Sequence, residues 1–160
     1  MLAVGLLLPK TREGLQGTLG GRERHPIAWA WFLALVASSG SLYFSEGVGF
    51  VPCSSCWYQR IAMYPLVLVL GAGMLSGDGG VWRFALPLPV VGLVISVYHI
   101  VVQHQPTLDL VPCGSGPPCS GRYVAVFGFV TIPVMAGAAF LLIMMLLLTL
   151  RTVQRSERAT

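Results

Sequence analysis

The stretch Pro52-Cys53-Ser54-Ser55-Cys56-Trp57-Tyr58-Gln59-Arg60 holds a CxxC pair with an arginine four positions behind its second cysteine. On a helix Cys53, Cys56 and Arg60 share one face, because residues three and four apart are neighbours there. The start of a helix favours thiolate over thiol through its unpaired amides and dipole, and a nearby guanidinium adds a permanent positive charge. The chemistry this supports is thiol–disulfide exchange with a stabilised thiolate. A second pair, Cys113 and Cys119, lies among Pro106, Pro112, Pro117, Pro118, Gly114, Gly116 and Gly121, a composition that resists regular structure and is expected to stay mobile.

The elements that must carry these residues follow from composition. Of the 160 residues 10% are charged and 55% are hydrophobic, which excludes an ordinary soluble domain. Apolar stretches of about 20 residues cross a bilayer, and four are present, at residues 27–47, 57–75, 84–102 and 124–150. The expected fold is all-α, an integral membrane four-helix bundle.

Cytoplasmic loops retain basic residues. Lys10, Arg12, Arg22 and Arg24 precede the first span, Arg83 follows the second, and Arg151, Arg155 and Arg158 follow the fourth; only Arg60 and Arg122 fall on the other side. Both termini are therefore expected in the cytoplasm. The two cysteine-bearing loops would face an oxidising exterior, where disulfides persist. This topology accounts for the net charge of +4, so nucleic acid is not expected as a partner. Residues 1–25 read as a disordered cytoplasmic tail, 26–150 as the membrane domain and 151–160 as a second cytoplasmic tail. The apolar start, Leu2 to Leu8, lacks the flanks of a signal peptide.

Within the spans, His25-Pro26 is the expected beginning of the first helix. Small residues at Ser38 to Ser41 would allow close helix approach, and Trp29, Trp31, Tyr43 and Phe44 suit interfacial anchoring. Pro65 is expected to bend the second span. The short turn at residues 76–80 makes spans two and three antiparallel neighbours. His99 is the histidine placed inside a span; it is either an interhelical hydrogen-bond partner or a cofactor contact, since ionisable groups in the membrane are functional by default. Gln103 lies nearer water. The later half of the fourth span reads as lipid-facing.

Four cysteines allow three pairings. Two structural disulfides closing such short loops would return only roughly 2 kcal/mol each. A structural zinc site is disfavoured because Cys113 and Cys119 are widely spaced for a ligand knuckle; no metal is expected. A relay fits better: the loop pair exchanges with a soluble partner and with Cys53 and Cys56. With no haem or dinucleotide motif, the nearest electron acceptor is a lipid-soluble quinone beside Cys56, Arg60 and aromatic side chains.

The CxxC stretch, the following Met63-Tyr64-Pro65, the pair Cys113 and Cys119, and Gly128-Phe129 with Pro133 together resemble the DsbB/BdbC family of bacterial disulfide bond formation proteins over residues 27–150. The resemblance implies a bacterial inner-membrane enzyme whose redox loops face the periplasm or cell exterior. It would reoxidise a DsbA-like thioredoxin-fold thiol oxidase and pass the electrons to ubiquinone or menaquinone. By the same resemblance, Cys113 forms the mixed disulfide with the partner, Cys119 leaves and attacks Cys53, Cys56 is the quinone-proximal thiolate, and Arg60 and His99 contact the quinone. The short Cys113 to Cys119 spacing resembles the compact BdbC-type members. Two other readings remain: a relative of vitamin K epoxide reductase, in which the loop pair would precede the CxxC, and a non-enzymatic scaffold held by disulfides.

Overall fold

The computed structural model describes residues 21–105, 107 and 131–159, with side chains over 25–105, 107 and 131–156. Cys113, Cys119, Arg122, Gly128-Phe129 and the start expected for the fourth span lie outside the described residues. The regular structure described is entirely helical: α1 (Gly21–Leu42) with a π-helical turn (Tyr43–Gly47), α2 (Ser54–Ser76), a 3-10 turn (Gly79–Val81), α3 (Trp82–Ala85), α4 (Pro87–His104) and α5 (Ile132–Ala159). Among the described residues four stretches are long and apolar enough to cross a membrane: His25–Gly47, Ser54–Ser76, Gly79–His104 and Ile132–Ser156.

Each long helix buries a narrow stripe at helical spacing. On α2 it is Ser55, Gln59, Ala62, Met63, Leu66, Leu70 and Gly73; on α4 it is Pro89, Gly92, Ser96, His99, Val102 and Gln103. Ile27, Ala30, Ala34 and Ser38 serve α1, and Phe140, Ile143, Leu147 and Leu150 serve α5. Large apolar side chains cover the opposite faces, Leu68, Phe84 and Val94 among them; in a chain of this hydropathy that outer surface is a lipid contact. The helices pack in a ring, α1 on α2, α2 on α4, α4 on α5 and α5 back on α1.

The later half of the last helix is not lipid-facing filler, because Ile143, Leu147 and Leu150 are at most 1% exposed and form part of the interior. A continuous Leu/Met run carries no periodicity by which sequence could separate its two faces. Phe140 lies against Gly92, where no room remains for a Cβ. Glycine there lets α4 and α5 approach closely.

The helix junctions follow from local chemistry. Gly77 closes α2 in the left-handed region at φ 69°, which glycine enters without strain. Asp78 Oδ1 then accepts the Gly80 N–H at 2.8 Å, starting the 3-10 turn. Pro87 and Pro89 lack the N–H groups that would continue the hydrogen-bond ladder, so α3 and α4 are separated at Leu86 although its backbone stays right-handed helical (φ −58°, ψ −39°). Pro26 lies inside α1, which begins at Gly21, ahead of the expected start. Pro65 is likewise inside an unbroken α2.

Candidate functional site

Cys53 caps α2 with an extended backbone (φ −72°, ψ 171°), and its carbonyl accepts the Trp57 N–H at 3.1 Å. Cys56 therefore sits in the first turn, where helix amides are still unpaired. The two thiols face each other, with Sγ atoms 3.0 Å apart. Cys53 is 4% exposed and packs with Val102, Cys56 and Tyr98. Its hydrogen bond with Cys56, followed by burial, pushes the Cys53 thiol up to about 12, with the His99 hydrogen bond acting in the opposite direction. Within the reduced pair Cys53 thus keeps its proton.

His99 comes to the thiols from α4. Its Nε2 lies 3.8 Å from Cys53 Sγ and its ring is 2% exposed. The ligand atoms of Cys53, Cys56 and His99 all fall within 4.8 Å of one another, a soft donor set able to hold a thiophilic cation. His99 is thus brought to the cysteine site by α2–α4 packing.

Arg60 is positioned from a different helix. Its Nε donates to Ser41 Oγ at 2.9 Å and a terminal nitrogen donates to the Ser41 carbonyl at 2.8 Å. The guanidinium lies over the Trp57 ring, 5.3 Å from its centroid, within range of a cation–π contact. Ser41 lies in the last turn of α1, next to the π-helical turn. Gly49 follows at φ 77°, and Phe50 stacks on Phe44 with centroids 6.3 Å apart.

These elements enclose a cavity of about 500 Å³ lined by Cys53, Cys56, Arg60, His99, Phe44 and Phe50 with largely aliphatic walls. The size and the few polar groups on an apolar wall are those of a small-molecule site. Two lining glutamines are each paired with a buried hydroxyl. Gln59 Nε2 donates to Ser96 Oγ at 3.2 Å, and Thr131 Oγ1 donates to Gln103 Oε1 at 3.0 Å. Tyr64, also on the wall, has a buried hydroxyl without a hydrogen-bond partner.

Among the sequence-derived candidates, Cys53, Cys56, Arg60 and His99 meet at this one cavity; Cys113 and Cys119 lie outside the described residues. Ser41, Phe44, Gln59, Tyr64 and Gln103 were not recognised as site residues. Phe44, expected as an interfacial anchor, also lines the cavity. The available signal was the cluster of hydrogen-bonding groups within apolar spans, where such groups need partners.

The family model for the disulfide bond formation protein DsbB matches residues 23–150. Disulfide bond formation protein C of Bacillus subtilis (strain 168) is 49% identical over 123 residues, covering 76% of this chain and 89% of that protein. Probable disulfide formation protein C 2 of Bacillus anthracis is 46% identical over 125 residues, covering 78% of this chain and 89% of its own. Probable disulfide formation protein C of Halalkalibacterium halodurans is 48% identical over 115 residues, covering 71% and 84%. No solved structure matches the chain. With the family model spanning most of its length, the helical membrane protein that carries this dithiol cavity belongs to the DsbB family of disulfide bond formation proteins.

Proposed function

We propose that the chain is a quinone-dependent protein-disulfide oxidoreductase that reoxidises a DsbA-like thioredoxin-fold partner in a bacterial cell membrane. The observation that carries this reading is the opening of the Cys53–Cys56 pair onto an apolar cavity that also holds Arg60 and His99. Both termini would lie in the cytoplasm and the thiols at the outer face, as the basic residues imply.

The partner's dithiol loses two electrons and two protons as its disulfide forms, and the Cys113–Cys119 disulfide gains them. In the proposed order a partner thiolate attacks Cys113 and Cys119 leaves as thiolate. The second partner thiol then displaces Cys113, releasing oxidised partner. Cys119 attacks Cys53 of the Cys53–Cys56 disulfide, and Cys56 leaves as thiolate. Attack by Cys113 on Cys119 frees Cys53, so the loop disulfide is restored and the CxxC pair is left reduced.

The cavity fits a quinone in the chemistry of its donors: Arg60 and the otherwise unpartnered Tyr64 hydroxyl can donate to carbonyl oxygens, and aliphatic and aromatic walls suit the ring. Bound there, a quinone supplies the sink for two electrons and two protons. The chain's own residues set up that transfer. Cys56 lies in the first turn of α2 beside the cavity, Cys53 holds a proton, His99 sits within reach of the Cys53 sulfur, and Ser41 keeps Arg60 at the cavity wall.

Anaerobic mixing of the detergent-purified protein with a reduced thioredoxin-fold oxidase and a soluble quinone tests the proposal. Quinone absorbance should fall only when partner is present and should not change in Cys56→Ser. Absence of turnover by folded, fully oxidised protein with both ubiquinone and menaquinone analogues would reject the quinone assignment.

A further inference from the structure

At the end of the bundle away from the thiols, a second hollow of about 200 Å³ is lined by Trp82, Arg83, Arg151, Gln154 and Arg155. Its position follows from the chain path: α2 runs from the cysteines to Ser76, and Trp82 follows the turn there. The distal part of α5 reaches the same place, where Ile27, Val81 and Leu150 are buried together.

Three guanidinium groups therefore converge on one small concavity. Arg83 and Arg151 both lie over the Trp82 indole, 5.6 and 5.2 Å from the ring. Trp82 Nε1 donates to Gln154 Oε1 at 2.9 Å, which uses that amide's acceptor and leaves its N–H groups as donors. Among the described residues none of the three arginines forms an ion pair. Asp78, the acid nearest Trp82 in the chain, accepts the Gly80 N–H. Glu157 lies outside the described side chains.

Crowding like charges around a shared hollow is unfavourable unless an anion enters it. Guanidinium groups suit phosphate oxygens in particular, because their flat fork can donate two parallel hydrogen bonds. The hollow also lies at a helix end of a membrane bundle, beside a tryptophan of the kind that favours the headgroup layer. We propose that Arg83, Arg151, Arg155 and Gln154 form a binding site for the phosphate of an anionic membrane phospholipid. The site is separate from the dithiol cavity and does not depend on the function proposed for it. Trp82 would act as a platform holding two of the guanidinium groups in place, and the apolar outer surfaces of α4 and α5 would accommodate the acyl chains.

The test is native mass spectrometry of the full-length chain exchanged into detergent with phosphatidylglycerol or phosphatidylcholine, each at matched concentrations. The wild-type chain should retain phosphatidylglycerol preferentially. Each of Arg83→Gln, Arg151→Gln and Arg155→Gln should weaken that retention roughly fivefold, the effect expected for one basic residue at an anionic surface. Phosphatidylcholine retention should be unchanged, and inorganic phosphate at the same concentration should fail to displace the lipid. Arg155 is exposed, so Arg155→Gln leaves the interior packing intact, and the wild-type lipid comparison needs no variant at all. Equal retention of the two lipids, unaltered phosphatidylglycerol binding in all three variants, or full displacement by inorganic phosphate would each overturn the proposal.

Discussion

Arg60 and Ser41, nineteen positions apart in the chain, are joined by two hydrogen bonds, one to the serine hydroxyl at 2.9 Å and one to its carbonyl at 2.8 Å. The charge beside the dithiol is thus held in place by the last turns of the first span. Arg60→Leu should slow quinone reduction by roughly ten- to a hundredfold, the range for losing one hydrogen bond to a charged group. A single round of partner oxidation by preformed disulfides should persist. Stopped-flow measurement of the two half-reactions checks this; equal loss in both would reject the role given to Arg60.

Ser41→Ala removes the hydroxyl acceptor and leaves the carbonyl bond. Quinone reduction should fall by less than in Arg60→Leu, with partner oxidation again intact. A Ser41→Ala defect as large as that of Arg60→Leu would mean that the hydroxyl, rather than the guanidinium, is the important group.

His99→Ala should cost roughly fivefold in overall turnover, as expected for a neutral hydrogen bond, and so less than Arg60→Leu. The histidine contacts the Cys53 sulfur, so its loss should also alter thiol reactivity in the reduced chain. Steady-state turnover ranks the two variants, and the opposite order would overturn the assignment.

The high value at Cys53 has a definite sign. Raising a thiol to about 12 favours the protonated form, so less thiolate is present at any given lower pH. Alkylation of Cys53 in the reduced chain should therefore remain slow through neutral pH and the ordinary thiol range, and accelerate only as pH approaches that value. Cys56→Ser removes the thiol that is the main cause and should move the onset to lower pH. Mass-spectrometric mapping of iodoacetamide adducts across a pH series measures both.

Gly92→Leu would drive a side chain into the Phe140 ring. Overpacking of this kind costs about 1 to 3 kcal/mol, and the variant should unfold at lower temperature in detergent. An unchanged unfolding temperature would show that the helices separate freely at that level.

Much of this architecture was legible in the sequence. Four apolar stretches gave four spans, and the spacing of Cys53, Cys56 and Arg60 gave a helix start with two thiols and a cation on one cavity. What remained hidden depended on partners remote in the chain. Ser41 was legible as a small packing residue but not as the acceptor of a residue on another helix. Gln103 was legible as polar and near water, yet it is buried and accepts a hydrogen bond from Thr131, which follows a long intervening segment. Phe44 resembled an interfacial anchor because aromatics at span ends often are; its place on the cavity wall goes with its stacking on Phe50, beyond the helix end. The leucine-rich half of the last span had no periodicity from which its buried stripe could be read.

The hydrogen bond between Gln103 and Thr131 bears on the segment that joins them. Both residues are buried, and Gln103 belongs to the lining of the dithiol cavity, so both ends of that segment are anchored near its rim. Cys113 is ten residues from one anchor and Cys119 twelve from the other, and a fully extended chain spans at most about 3.6 Å per residue. The length of chain alone keeps the second pair within a tether of roughly 40 Å from the rim. In the proposed relay, exchange between the two pairs would be intramolecular, governed by a local effective concentration rather than by the abundance of the protein in its membrane. Lengthening the tether would dilute that encounter without altering any atom of the cavity.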